Sequence, residues 1–570
     1  MRKLLILLIA ALLAVPSVAM AAESVDELQR KIQEMTLELN ELSKRVDKTE
    51  RHTALDRISW YGDLRVKADT LHYKDVTRSQ GVFFDFADFG ARAMGGEFGD
   101  PGDPASPIAK FVTAFPQQAN TFFTGGYAPQ DFFIIAAPEK SDINNDILYT
   151  TRLRLGMKAK VWENVNFSGR LSMYKNWGDS TGSKVFDSWN SFTMDGTNGG
   201  NTTGDWVRVE RAYFDWKDIG GSNFYLSIGR RPSTYGPPSQ YRENEMRGGT
   251  PSGHLVHFNF DGITIGYKLG KHTGVEGQVV RFCYGQGFES EWGNGELFNE
   301  IDTDDVHLGG FNIDAINDGT NFLQFTLFRA EDVTDGFKGV IAFPSQFAQQ
   351  LAPTMWQDLQ NFPNFNFVTR VQPSTNIGDI MLGGVGFTRE EMNGVNWFAS
   401  LGWTRTDPNG KAGMFGGLLS DPVYQAALVP DPAGGEMIMP MVTATPSSND
   451  EEDGYSVYVG VQVPAPLGKF GLEYNYGSRY WTPFTQAQDD VVGSKLATRG
   501  HAGEAYYIFD INPNMFIKVG AIYYDYKYTG SGSPVGAPVK IEDVQDGTAA
   551  SILPAVDEVW DGYASLTVKF

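Results

Sequence analysis

From residue 58 to the end of the chain, apolar and polar residues alternate in short runs. In WYGDLRVKADT, Leu64, Val66 and Ala68 alternate with Asp63, Arg65, Lys67 and Asp69. In TRLRLGMKAKVWENVNFSGRLSMY, Leu153, Leu155, Met157, Ala159 and Val161 alternate with Arg152, Arg154, Lys158 and Lys160. A turn at Glu163-Asn164 follows, and then Phe167, Leu171 and Met173 alternate with Ser168, Arg170, Ser172 and Tyr174. A period of two belongs to a strand whose faces meet different surroundings. Such runs recur at 206–217, 223–231, 254–269, 278–285, 305–314, 321–329, 379–388, 395–405, 455–463, 469–477, 499–509 and 514–527. The chain ends on another, with Ala564, Leu566, Val568 and Phe570 in one phase and Ser565, Thr567 and Lys569 in the other. The pattern predicts an all-β protein.

The lengths of the connections sharpen this. Glu163-Asn164, DIGGS (218–222), EMNG (391–394), PAPLG (464–468) and INPN (511–514) are tight, whereas 74–146, 178–205, 331–378, 406–454 and 528–557 are long and polar. Short turns at one end and long loops at the other are the arrangement of a transmembrane antiparallel β-barrel. Four cations on one face of residues 152–160 would be costly in a dry core. They cost little where that face lines a lumen and the other meets lipid, and a closed sheet leaves no backbone edge bare in hydrocarbon. Trp60, Trp162, Trp177, Trp216, Trp403 and Trp481 fall near strand ends and predict interfacial girdles. With 254–269 split at Asp261-Gly262, the runs number seventeen. Up-and-down phases disagree between residues 232 and 300, so an even count of eighteen is expected, with sixteen as the alternative.

Ahead of the barrel the period is different. Val25, Leu28, Ile32, Met35, Leu39, Leu42 and Val46 are spaced alternately by three and four, the seam of a coiled coil. So narrow a stripe on one short helix calls for partner helices, and a homo-oligomer, a trimer favoured, is the expectation. Before it, Arg2 and Lys3 lead into an apolar run, Leu4–Val15, and Ala19-Met-Ala21 offers a cleavage site. The predicted organisation is therefore a signal peptide at 1–21, a periplasmic helix at 22–52 and a barrel at 57–570, in the outer membrane and in contact with its lipid.

Composition closes other routes. The net charge of −22 argues against nucleic acid as a partner. Cys283 is the sole cysteine, which excludes an intrachain disulfide, and no C-x-x-C-H is present to attach haem. His254-Leu-Val-His257 has i,i+3 spacing on an expected strand, where the two rings face opposite sides, and Asp142-Ile-Asn144-Asn-Asp146 has Ile147 where a calcium loop needs glycine. No cofactor, metal or enzymatic activity is expected.

The order of coil, GDLRVKAD, a long first loop, TRLRLGMKAKVWENVNFSGRL and SIGRRPSTYGPP resembles a family of Gram-negative outer-membrane porins of unknown substrate. More loosely, a coil followed by a barrel resembles trimeric porins. The resemblance implies passage of small solutes. The last strand, with Leu566, Val568 and terminal Phe570, is similar to the signal read by the outer-membrane barrel assembly machinery, although Val568 stands where a further aromatic is commoner.

Two clusters carry the candidate chemistry. Arg65, Lys67, Arg152, Arg154, Lys158, Lys160 and Arg170 form a basic wall, expected to line the pore and to favour anions. They could instead be held by lumen acids such as Asp63, Asp69, Asp215 and Glu473. The stretch 229–247 carries Arg230, Arg231, Arg242, Glu243, Glu245 and Arg247 and is expected to fold inward as a constriction, with loop 74–146 as its rival. The expected function is a diffusion channel for small hydrophilic solutes. The alternative is a sheath for a partner, such as a redox protein crossing the membrane.

Overall fold

A computed structural model describes residues 58–78, 139–178, 204–290, 303–336, 375–391, 394–413, 416–430, 436–444, 449–485, 490–549 and 555–570, with short pieces at 35–36, 38–39, 339–343, 367–371 and 551. Sixteen antiparallel strands close into one barrel. In chain order they are β1 (Ile58–Arg78), β2 (Glu139–Lys160), β3 (Val165–Asn176), β4 (Gly204–Trp216), β5 (Phe224–Arg231), β6 (Phe260–Lys268), β7 (Val279–Phe288) and β8 (Val306–Asn317). There follow β9 (Asn321–Thr334), β10 (Asn376–Arg389), β11 (Asn396–Pro408), β12 (Glu452–Ala465), β13 (Gly468–Gly477), β14 (Gly500–Asn512), β15 (Met515–Tyr526) and β16 (Glu558–Lys569). Each strand pairs with its neighbours in sequence, and the ring closes where β16 meets β1, Val568 opposite Leu64 and Ala564 opposite Ala68. Loop hairpins, such as Pro422–Pro430 with Glu436–Ala444, lie outside the ring.

Sixteen replaces the expected eighteen. The run at 254–269 holds one strand, not two, since β6 begins at Phe260. Leu255 and Phe258 are fully buried ahead of it. An extended segment packed inside a barrel shows the same alternation as a strand in its wall, so the period alone could not separate them.

Loop sorting holds as expected. The connections 161–164, 217–223, 269–278, 318–320, 390–395, 466–467 and 513–514 are short and share one end with Ile58 and Lys569, while the other connections are long. Asp142–Asp146 lies within β2 rather than in a loop, with Asp142 paired to Lys74 and Asn144 bonded to His72.

The outer face is apolar and exposed. Leu64, Phe214, Ile265, Phe311, Leu327, Leu401, Val457, Leu472, Val519 and Leu566 all point outward, the pattern expected of a barrel in a membrane. Trp60, Trp162 and Trp216 are exposed at the short-turn end and Trp177 at the long-loop end. Trp481 departs from the girdle expectation, being fully buried within the barrel.

The inner phase is buried as well, and that is the central fact of the fold. Asp69, Asn312, Tyr458 and Ile508 have 0 % exposure. Inward residues of a water-filled barrel would be wet, so protein fills this lumen. The filling is lopsided. Against β8–β10, inward Leu308, Phe328, Ile380 and Leu382 pack on Leu255, Phe258, Trp481 and Phe484 in an apolar core. On the opposite side, where the ring closes, inward charges (Arg65, Lys67, Asp69, Lys518 and Asp561) stand beside a second buried cluster of Ile508, Phe516, Ile522, Tyr524, Val559 and Tyr563.

Of the predicted coil, Met35 and Leu39 are helical and exposed. Val25, Leu28, Ile32, Leu42 and Val46 lie outside the described residues, as do the signal peptide and residues 79–138 of the long first loop.

Candidate functional site

Residues 232–259, between β5 and β6, fold into the barrel. Their roots are paired at the long-loop end, Arg231 opposite Phe260. From there the segment reaches the other end. Asn244, at a left-handed turn after the short helix α1 (Gln240–Glu243), receives hydrogen bonds from Lys569 Nζ at 2.8 Å and Lys469 Nζ at 3.2 Å. Tyr241 Oη donates to Arg389 O at 2.9 Å. These partners sit at the short-turn ends of β16, β13 and β10. On the way back, Gln324 Nε2 donates to Thr250 O at 2.9 Å. His254 lies between the hydroxyls of Ser400 and Ser456, at 2.9 and 2.8 Å. One chain segment therefore runs the length of the lumen and is tied to strands around the ring.

A second segment, between β13 and β14, packs on the first. His257 N donates to Phe484 O, and Phe484 N donates to Leu255 O, at 2.6 and 2.9 Å. Arg499 is fully buried and holds this segment by donating to Trp481 O, Thr529 O and Ser533 O at 3.1, 3.1 and 2.9 Å. The close fit depends on glycine in the wall: a Cβ on Gly402 would come within 2.4 Å of the Trp481 ring.

The predicted basic wall divides in three. Arg152 and Arg154 are buried and share Asp63, which accepts from Arg152 Nη2 at 3.2 Å and Arg154 Nε at 2.7 Å. Their other partners come from the inward segment, Glu243 at 3.1 Å from Arg152 and Glu245 on Arg154. Arg170 is bonded to Glu210, and the rings and carboxylates beside it extend the network, Arg154 and Arg170 each lying 5.3 Å from the Tyr235 ring. Lys67 pairs with Asp69 at 2.5 Å, and Arg65 is buried beside it on the same face. Lys158 and Lys160, by contrast, are exposed at the short-turn end of β2. The acids that hold the bases are Asp63, Asp69, Glu210, Glu243 and Glu245. Only two of these, Asp63 and Asp69, were among those anticipated from the sequence.

The predicted constriction is brought together in part. Arg242, Glu243 and Glu245 lie inside the lumen. Arg247 lies over the Phe322 ring at 3.9 Å and donates to Asn317 Oδ1 at 3.2 Å. Arg231 stays on the wall, donating to Ser227 Oγ at 2.9 Å. Arg230 does not belong to the group, because the alternation of β5 turns it outward to pair with Asp261 at 2.8 Å on the rim.

Arg242 and Glu473 were expected in the lumen; their partners Asp490, Lys495, Glu504 and Lys518 were missed. Arg242 donates to both carboxylate oxygens of Asp490 and lies 3.0 Å from Glu504. Glu504 also takes Lys495 and Lys518, and Glu473 takes Lys495 and the hydroxyl of Tyr458. Glu504 and Lys518 stand on the polar phase of predicted strands, which is the signal that could have found them. Asp490 and Lys495 lie in a loop and carry none. Among the described residues, no group of three or more His, Cys, Asp or Glu is placed to hold a metal ion.

At the closing seam, β1 and β16 form one continuous sheet to the chain terminus. Leu566 and Val568 pair opposite Val66 and Leu64, and Phe570 exchanges two backbone hydrogen bonds with Gly62, at 2.8 and 2.9 Å.

A family model described as "Protein of unknown function (DUF3373)" matches residues 142–570. No curated protein matches the chain. Among solved structures, OmpF of Salmonella typhi in complex with daunomycin is 10% identical with a TM-score of 0.37, over 90% of this chain and 97% of that one. An anion-selective porin from Comamonas acidovorans is 9% identical with a TM-score of 0.37, over 90% and 99%. OprB of Pseudomonas putida is 10% identical with a TM-score of 0.35, over 90% and 95%.

Proposed function

As the chain belongs to the DUF3373 family of unknown function and forms a closed porin-like barrel, we propose that it is a narrow channel of the outer membrane. It passes small hydrophilic solutes along the charged side of its lumen, with a preference for anions. The observation that carries this reading is the lopsided filling. The inward segment seals against β8–β10 with apolar side chains, whereas on the closing side it meets the wall through Arg152, Arg154, Arg242 and their carboxylates. Buried Asn312, Asp314 and Gln324 also give β8 and β9 some polar groups, but the denser set of charged partners for water and ions is on the second side. Solute size is limited by the segment and solute charge by the wall bases Arg65, Lys67, Arg152, Arg154 and Arg170, with Lys158 and Lys160 at the mouth. The sheath reading is not favoured, because the chain's own residues occupy the space a threaded partner would need.

The further parts of the reading are an exported precursor cleaved after Ala21, trimerisation through the seam Val25–Val46, and recognition of Leu566, Val568 and Phe570 by the barrel assembly machinery. Single-channel conductance of the purified protein in a planar bilayer under a KCl gradient tests the channel. Small steps, grouped in threes, with a reversal potential shifted toward chloride are expected. A shift toward potassium would remove the anion preference and leave the channel. No steps from a folded barrel would overturn the channel itself.

A further inference from the structure

Between the closing strands and α1 lies a cavity of about 20 Å³. Five cationic side chains from four elements reach it: Arg65 and Lys67 of β1, Arg152 of β2, Lys518 of β15 and Arg242 of α1. All five are buried. Their placement follows from register. Lys67 and Lys518 both stand opposite Ser565 of β16, one on each side, and Arg65 and Phe516 both stand opposite Thr567.

Glu243 is the one carboxylate among the lining residues. The other acids of the network, Asp63, Asp69, Glu245, Asp490, Glu504 and Asp561, bind these cations without forming the cavity wall. They offset the charge of the cluster as a whole, yet leave the positive ends of the pairs turned toward one small space. Coulomb attraction falls with distance, so the cations that line the space act on a guest more strongly than the acids behind them. Ser565 and Thr567 add hydroxyls that can donate to a guest.

We propose that this cavity is a binding site for a single halide-sized anion, chloride in the native setting. Size argues for the class. One water needs roughly 10–15 Å³ on this measure, so 20 Å³ admits one chloride or bromide and excludes phosphate or a carboxylate solute. The site deepens the anion preference proposed above and rests on that reading for its role in passage, though not for binding itself. An anion held between wall and segment would be both a stepping site and a ligand that ties α1 to the closing seam.

The test is anomalous diffraction at the bromine edge from crystals of the full-length protein grown in sodium bromide, alongside Lys518→Met and Arg65→Met. These substitutions lie on different strands, and folding is scored by the heat-dependent shift of the barrel on a gel. An anomalous peak in the cavity of the wild type, lost or several-fold weaker in whichever variant folds, is expected. No peak in the wild type overturns the site, as does a peak that both variants keep at full height. Conductance shifted toward chloride without a peak would leave the channel and remove the site. A peak without conductance would leave the site and remove the channel.

Discussion

Arg242 and Asp490, 248 residues apart in the chain, form a two-pronged ion pair inside the barrel, Nη2 to Oδ1 at 2.8 Å and Nη1 to Oδ2 at 2.9 Å. Neither residue is in the wall. The pair joins the two inward segments to each other, and through Glu504 it joins both to β14. Breaking a buried pair from one side costs roughly 3–5 kcal/mol, and Arg242 keeps Glu504, so the lower end applies. Asp490→Asn should loosen both segments together. Hydrogen exchange is expected to speed up across 232–259 and 478–499 while β8–β11 stays protected. Faster exchange confined to the second segment would show that the pair does not couple them.

Removing the segment should widen the channel. Gly253 N donates to Pro237 O at 2.8 Å, so the two arms lie side by side and can be joined by a short glycine link. A barrel lacking Gly236–Gly253 should keep its ring, because Arg231 and Phe260 stay paired. Its conductance is expected to rise several-fold, and liposome swelling should begin to report sugars that the full chain excludes. Unchanged conductance would mean that this segment is not what limits flow.

The fit of Trp481 against the wall can be tested with a single methyl group. Gly402→Ala places a carbon where the Trp481 ring stands. Overpacking of this kind costs about 1–3 kcal/mol. A lower unfolding midpoint and a red-shifted tryptophan emission are expected, with strand content by circular dichroism unchanged.

In the long loop after β11, burial raises the Asp421 carboxyl to about 6, although it accepts a hydrogen bond from Ala537 N at 3.0 Å. The unfolded chain ionises this group at its ordinary value of 3.8, so between there and about 6 the folded state holds the proton more tightly. Stability is therefore full below about 4 and falls as pH rises to about 6, by roughly 2–3 kcal/mol at most. Asp421→Asn, which keeps the acceptor, should flatten that slope in a pH series of thermal unfolding.

Deleting Phe570 removes both backbone bonds to Gly62 at the seam. Less folded barrel in outer-membrane fractions is expected, with a larger effect than Lys569→Gln, which spares the backbone. Equal yields would show that the terminal residue contributes nothing to closure.

The sequence made the wall legible and most of the lumen not. Leu64 against Arg65, or Leu566 against Thr567, alternate because the two faces of the wall meet different surroundings. The period reports only that the faces differ. It cannot say whether the inner face meets water or protein, and so His254–Asn259 passed for a strand and Trp481 for a girdle residue. The bases at 152, 154 and 170 were visible as charges, and Arg242, Glu243 and Glu245 as an inward-turning cluster. Their pairing was not, since Asp63 meets Arg154 only through the register of β1 and β2. Asp490 and Lys495 come from a loop whose course no period records.

A ring sealed by its first and last strands can afterwards be filled only through its mouths. The inward segments carry Trp481, Phe258 and Leu255 deep into the interior and are laced to strands on all sides. Strands β5 and β6, which root the first segment, end at Lys268, 290 residues (558 less 268) ahead of Glu558, where the closing strand begins. Closing the ring and filling it are thus contacts made by parts of the chain far apart in sequence.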